Sequence, residues 1–155
     1  MDNNELVLSS LRRVIRATDL HSKKLAKTSG LTAPQILLMQ TIRTKPDATI
    51  GAIAADISLS HATVTTIVDR LEKRGLLSRR RCDKDRRRIY LELTDAGEIA
   101  ISQAPTPLQE HFVQRFNKLD EWEQHMIIAS LQRVAVMMNA EDIEAAPLLE
   151  VGSLD

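Results

Sequence analysis

Ser60-His61-Ala62-Thr63-Val64-Thr65-Thr66-Ile67-Val68-Asp69-Arg70-Leu71-Glu72-Lys73-Arg74-Gly75-Leu76-Leu77 is the stretch that decides how this chain is read. Val64, Ile67, Val68 and Leu71 recur at i, i+3, i+4 and i+7, which predicts a helix over 61–74 with one apolar face. Ser60 stands where an N-cap is needed, and Gly75 where a left-handed residue ends a helix. Immediately upstream, Thr49 is expected to cap a short helix over 50–57, with Ile53, Ala54 and Ile57 facing inward. Only Ser58-Leu59 separates the two helices, so the pair reads as a helix-turn-helix. Past Gly75 the period falls from 3.6 to 2: Ile89, Leu91 and Leu93 alternate with Tyr90, Glu92 and Thr94. That predicts a strand, with 76–82 as its antiparallel partner and 83–88 as the polar tip of the hairpin.

Charge singles out the same region. The 155 residues hold 21 basic and 21 acidic side chains, but 70–88 carries ten basic residues against three acidic ones. That segment is net +7, the rest of the chain −7, and the last fifteen residues have five acids and no base. On the helix wheel Ala62, Thr66, Asp69 and Lys73 point furthest from the apolar face, with Thr63 and Arg70 on one flank and Thr65 on the other. Small and hydroxyl side chains near a helix N-terminus allow close approach to a DNA backbone and to base edges. Arg70, one turn on, reaches a guanine edge or a phosphate. A guanidinium at a hairpin tip fits a narrow A·T minor groove, where the negative potential is enhanced. Helix and basic hairpin together point to double-stranded DNA. With 3% aromatic residues the chain lacks the platforms for stacking single-stranded bases.

Working outward, apolar Leu8, Leu11, Ile15 and Leu25 predict a long first helix over about 5–28, ending at Ser29-Gly30. Thr32 is expected to cap a second helix, with Pro34 in its first turn and Lys45-Pro46 as its stop. Thr94 is a further expected N-cap, and the helix it starts must break or kink at Pro105 and Pro107. Leu108, Phe112, Phe116 and Leu119 make one stripe beyond the prolines. A last helix is predicted over 121–140, carrying Trp122, Met126, Ile127, Leu131, Val134 and Met138. Apolar stripes at both ends exceed what a small central core can bury alone, which predicts a homodimer.

Composition excludes several classes. At 155 residues and 43% apolar, the chain is one globular domain rather than a disordered segment. A single cysteine, Cys82, excludes a disulfide framework and a Cys-rich zinc site. The longest apolar runs, such as 126–129, fall far short of the roughly 20 residues that span a bilayer. Met1-Asp2-Asn3-Asn4-Glu5 lacks the basic-then-apolar order of a signal peptide, and the expected location is the cytoplasm. No Gly-rich phosphate loop, nucleophile motif or metal-ligand spacing is present in the sequence, so neither an enzyme nor a cofactor or metal is expected.

The stretch 60–77, followed by Asp85-Arg86-Arg87-Arg88 and by Leu91-Glu92-Leu93-Thr94-Asp95-Ala96-Gly97, resembles the MarR family of winged helix-turn-helix regulators over nearly the whole chain. The resemblance implies a mainly α fold with a small β-hairpin wing, in which 32–94 is the DNA-binding region. Segments 1–30 and 98–140 would be dimerisation helices, and 141–155 an acidic tail within the same domain. It implies a homodimer on a palindromic operator, each subunit with its recognition helix in a major groove and its wing in a flanking minor groove. DNA contacts are expected from Ser60, His61, Ala62, Thr63, Thr65, Thr66, Arg70 and Lys73, and at the wing from Lys84, Asp85, Arg86, Arg87 and Arg88. The family's Asp-x-Arg pattern falls on Asp85 and Arg87, implying that the carboxylate orients the guanidinium. Thr66 occupies a position commonly basic in relatives. Repression is the family's usual mode.

The resemblance also implies a small-molecule effector, often an aromatic anion, bound between the dimerisation region and the reading head. Candidate pocket residues are His21, Met39, His111 and Phe112. Residues 11–25 are similar to regulators associated with compatible-solute genes such as those for ectoine, which would make the signal osmotic. Cys82, set among arginines, is a candidate for a lowered thiol pKa. The competing reading is a winged-helix module that adheres to DNA without sequence preference or contacts proteins.

Overall fold

Four hydroxyl residues set the frame, each standing one position before a helix. Thr32 accepts from the amide of Gln35, Thr49 from Ala52, Ser60 from Thr63 and Thr94 from Gly97, so every N-cap expected from the sequence is made. In the computed structural model, which describes residues 2–143, 145, 148 and 149, the helices are α1 (Asn3–Ser29), α2 (Ala33–Thr44), α3 (Ile50–Asp56) and α4 (His61–Lys73). The hairpin β1 (Leu77–Arg81) and β2 (Ile89–Leu93) follows, then α5 (Asp95–Gln103), α6 (Leu108–Phe116) and α7 (Glu121–Met137).

The core lies within the helix-turn-helix and hairpin. Ile36, Leu38, Met39, Ile53, Val64, Ile67, Val68, Leu71, Leu77 and Leu91 are all essentially inaccessible, and Leu25 and Leu31 bring the end of α1 into the same cluster. The strands pair antiparallel with Leu77 opposite Leu93, Arg79 opposite Leu91 and Arg81 opposite Ile89. A bridge between Thr49 and Tyr90 also ties the second strand to the start of α3.

Some boundaries differ from those expected, for local reasons. Leu76 is outside β1 because its amide bonds Leu71 O (3.0 Å) while Gly75 N bonds Glu72 O (2.9 Å), the paired bonds of a Schellman end. Gly75, at φ +71°, supplies the left-handed residue. The last helix stops at Met137 rather than at 140, because Asn139 takes φ +50° and Ala140 N returns to Ala135 O at 2.9 Å. The prolines separate α5 from α6 completely.

The turn between α3 and α4 has the same Schellman bonds, Leu59 N to Ala54 O and Ser58 N to Ala55 O, but its left-handed residue is Ser58 at φ +56°. A non-glycine residue there costs on the order of 1 kcal/mol. Ser58→Gly is therefore expected to raise stability by up to about 1 kcal/mol, offset in part by the freedom glycine adds to the unfolded chain. Equilibrium urea unfolding measures it, and a destabilised variant would show that the turn carries no such strain.

Candidate nucleic-acid interface

Burying Val64, Ile67, Val68 and Leu71 leaves Ser60, His61, Ala62, Thr66, Asp69, Arg70 and Lys73 exposed, while Thr63 and Thr65 are half-buried. Ser60 Oγ accepts from Thr63 N at 3.0 Å and lies 2.7 Å from Thr63 Oγ1. Thr65 Oγ1 donates to His61 O (2.9 Å) and Thr66 Oγ1 to Ala62 O (3.1 Å). With their protons turned toward the helix, these two hydroxyls present lone pairs outward, together with methyl groups. The face suits base-edge amino donors and the thymine methyl.

Arg79 joins the recognition helix to the wing. Its guanidinium donates to Asp69 and to Glu72, two carboxylates of α4. The hydrogen bond to Asp69 is the main reason that its pKa is held above the ordinary arginine value, with the charge of Glu72 adding to it. Arg80, on the other face of β1, donates to Glu92 and lies 3.6 Å from Asp47, its guanidinium carbon 5.3 Å from the Tyr90 ring centre. Glu92 raises its pKa as well. Neither arginine was singled out by sequence reasoning. The available signal was strand alternation: Arg79 lies two residues after the inward Leu77 and so on the same face, under α4.

At the hairpin tip, Lys84, Asp85, Arg86, Arg87 and Arg88 are all exposed. Cys82 N bonds Arg88 O (3.0 Å) and Arg88 N bonds Asp85 O (2.9 Å), closing a short loop. The Asp85 carboxylate accepts from the Arg87 backbone amide at 3.0 Å and lies 3.7 Å from Arg88 Nε. It thus shapes the loop as an Asx turn and leans toward Arg88, which corrects the expectation that it holds the Arg87 guanidinium. Arg70, Lys73, Lys84, Arg86 and Arg87 make no ion pair among the described residues. The Cys82 thiol is held below its ordinary pKa, but by the Asp85 and Lys84 backbone amides and the Tyr90 hydroxyl rather than by the neighbouring arginines.

The four candidate effector residues divide. Phe112 lines an open apolar cleft of about 750 Å³ between α1, α6 and α7, with Val14, Thr18, Leu108 and Leu131. His111 lines a smaller neighbouring hollow that Phe112 also borders. His21 meets His111 edge to face, ring centres 6.5 Å apart, and its Nε2 is buried without a hydrogen-bond partner among the described residues. Met39 does not join them. It is fully buried among the side chains of the reading head, because its position on α2 falls on the face packed into the core, and this corrects its assignment to the pocket. Among the described residues no group of three or more His, Cys, Asp or Glu side chains is arranged to hold a metal, and no single helix is long and apolar enough to cross a membrane.

A helix-turn-helix with a basic antiparallel hairpin fixed to its second helix is the winged-helix DNA-binding fold. Residues 31–89 match the sequence model of the MarR family. The transcriptional repressor MdtR of Bacillus subtilis is 30% identical over 103 residues, covering 66% of this chain and 64% of that protein. Among solved structures, the regulator PcaV of Streptomyces coelicolor with its natural ligand superposes with a TM-score of 0.58 at 24% identity, over 89% of this chain and 97% of that one. MepR of Staphylococcus aureus in complex with DNA superposes with a TM-score of 0.58 at 19% identity, over 89% and 99%. Over residues 31–89 the chain is thus similar to the MarR family, and its mainly helical architecture with a two-stranded hairpin is that of MarR-type winged-helix structures. The resemblance to compatible-solute regulators gains nothing from these relatives and rests on residues 11–25 alone.

Proposed function

We propose that the protein is a homodimeric, sequence-specific repressor that binds a palindromic operator, one α4 in each of two major grooves and one wing in each flanking minor groove. The observation that carries this is the division of labour along 60–88. Apolar and ion-paired groups fix the helix and hairpin to each other, while Arg70, Lys73, Lys84, Arg86 and Arg87 make no ion pair among the described residues. MepR, bound to DNA, and MdtR, named a repressor, support the reading.

The dimer reading is supported by apolar side chains that the single chain leaves in water. Val14 and Ile15 on α1 and Trp122, Met126, Leu131 and Met137 on α7 are each more than half exposed. Apolar patches of this kind mark association surfaces. Deleting 1–25 is expected to abolish dimerisation, and a DNA-binding monomer would refute it. The effector reading places a small apolar molecule in the cleft bordered by Phe112, near His21 and His111, and PcaV is known with a ligand. An osmotic signal would act instead through ionic strength on the wing's phosphate contacts.

The test is fluorescence anisotropy with duplex from upstream of the coding sequence against a scrambled duplex, at several salt concentrations. Preference of about a thousandfold is expected, whereas an architectural binder shows little. Arg70→Ala is expected to cost about 1–3 kcal/mol and to relax base preference, and Arg87→Ala to weaken binding while lowering the salt slope by about 1. Unchanged affinity in both variants would refute the docking.

A further inference from the structure

Arg74 reaches back forty-four residues to the end of α1. It is the C-cap of α4, where its amide closes the last turn on Arg70 O, and its Nη1 donates to Gly30 O at 2.8 Å. Gly30 ends α1 in the left-handed conformation, φ +66°, with its own amide on Ala26 O at 2.8 Å. The fit is close, since a β-carbon on Gly30 would stand 3.3 Å from Arg74 Nη2. The guanidinium thus sits at the C-terminal end of α1, where unpaired carbonyls concentrate negative potential. Arg74 makes no ion pair among the described residues, so no carboxylate competes there for its charge. We propose that Arg74 is a positioning residue that fixes the angle between α1 and the recognition helix, and through it the separation of the two recognition helices in the dimer.

Apart from this bond, α1 is held to the reading head at a narrow place. Of its 27 residues, Thr18 and Leu25 are the buried ones among the described residues, and Thr18 lines the cleft beside α6 and α7 rather than the head. Leu25, with Leu31 just past the helix, enters the core of the head. Two leucines so close together make a pivot, and a rod on a pivot needs a second attachment to hold its direction. The hydrogen bond from Arg74 supplies it. The leverage is large: at 1.5 Å per residue α1 is about 40 Å long, so a swing of about 10° at the head moves its far end by about 7 Å. The inference rests on the dimeric repressor proposed above. If α1 carries the partner, the angle held in each subunit sets how far apart two recognition helices stand, and half-sites on a duplex are read at one helical turn or a multiple of it.

The test is the distance between the two recognition helices, read by double electron–electron resonance from a nitroxide attached after Ala62→Cys in a Cys82→Ser chain. Ala62 is exposed on α4, and Cys82 is the sole native thiol. The parent is expected to give a narrow distance distribution, and Arg74→Ala one about twice as wide, as a helix freed to sample several angles gives. Arg74→Lys should restore the narrow distribution, because the bond to Gly30 O is single and one ammonium can make it. Thermal melts confirm that the variants fold. In the unlabelled chain, Arg74→Ala is expected to bind the upstream duplex about tenfold more weakly and scrambled duplex within about twofold of the parent, as when the competent arrangement falls to about a tenth of the population. Three results would each overturn the proposal: a distribution as narrow in Arg74→Ala as in the parent, broadening that Arg74→Lys leaves in place, or equal loss on the two duplexes, which marks a mere phosphate contact. No dipolar signal in the parent would refute the dimer and the proposal with it. A parent that binds both duplexes alike would refute the repressor reading, while Arg74 stands or falls by the distances.

Discussion

Gly97→Ala is expected to destabilise the protein by about 3 kcal/mol or more, because a side chain at this position has no space at all. A β-carbon built on Gly97 would lie 1.9 Å from Leu76 O and 3.0 Å from Leu76 C. The obstacle is backbone, and it is held on both sides. Leu76 O accepts from Thr94 N at 3.1 Å, Leu76 N bonds Leu71 O at 3.0 Å, and Thr94 Oγ1 donates to Gly75 O at 2.6 Å. This knot is where the recognition helix ends, the wing begins and α5 starts. Relieving the clash means lifting α5 off the chain at 76 and losing the Thr94 cap on Gly97 N. Domains of this size are stable by only about 5–15 kcal/mol, so the midpoint of thermal unfolding should fall by roughly 6–12 °C. Gly51→Ala is the control, since nothing lies within 4 Å of its β-carbon and the residue is exposed in α3. Removing a helical glycine there should be neutral or gain about 0.5–1 kcal/mol. Circular dichroism melts of the two variants decide the matter, and a Gly97→Ala midpoint within about 2 °C of the parent would show that the contact at 76 is soft.

The sequence was most legible where local chemistry acts alone. Ser60, Thr49, Thr32 and Thr94 are caps by their side chains, and Val64, Ile67, Val68 and Leu71 fix the inward face of α4 whatever packs on it. What the sequence concealed was tertiary. Gly97 reads as an ordinary early helical residue until Leu76 O is seen against it. Met39 sits in an apolar helix whose facing side the periodicity alone does not assign. The Asp85 carboxylate had several basic neighbours to choose from, and loop closure rather than charge gave it to the Arg87 amide. Leu148 and Leu149, in an acidic tail, announce nothing about the cleft whose wall they join. The exposed apolar side chains of α1 and α7 are the reverse case: the sequence showed a surplus of apolar surface, and the fold of one chain leaves it uncovered.

Arg79→Ala is expected to lower operator affinity by about ten- to a hundredfold with little loss of stability, although Arg79 is turned toward protein and not toward solvent. The ion pairs it makes are partly exposed, and such pairs contribute about 0–1 kcal/mol to folding. Their effect on DNA binding is larger because of where the carboxylates stand. Asp69 lies on the outward face of α4 beside Arg70, and Glu72 is one turn from it. While Arg79 bridges them the helix shows a net positive face to the duplex; without it, two unpaired carboxylates meet the phosphates, and the hairpin loses its fastening to the helix. Like charges brought together across an interface cost several kcal/mol when uncompensated. Adding Asp69→Asn and Glu72→Gln to Arg79→Ala should therefore recover most of the affinity, since it removes the repulsion without restoring the bridge. Arg79→Lys should recover little, because one ammonium lacks the planar fork that serves two acceptors together. Anisotropy titrations on the four proteins, with melts to confirm folding, separate charge from fastening. If the triple variant binds as poorly as Arg79→Ala, the loss comes from a wing set free, and the function of Arg79 is to hold the distance between the helix in the major groove and the arginines at the hairpin tip.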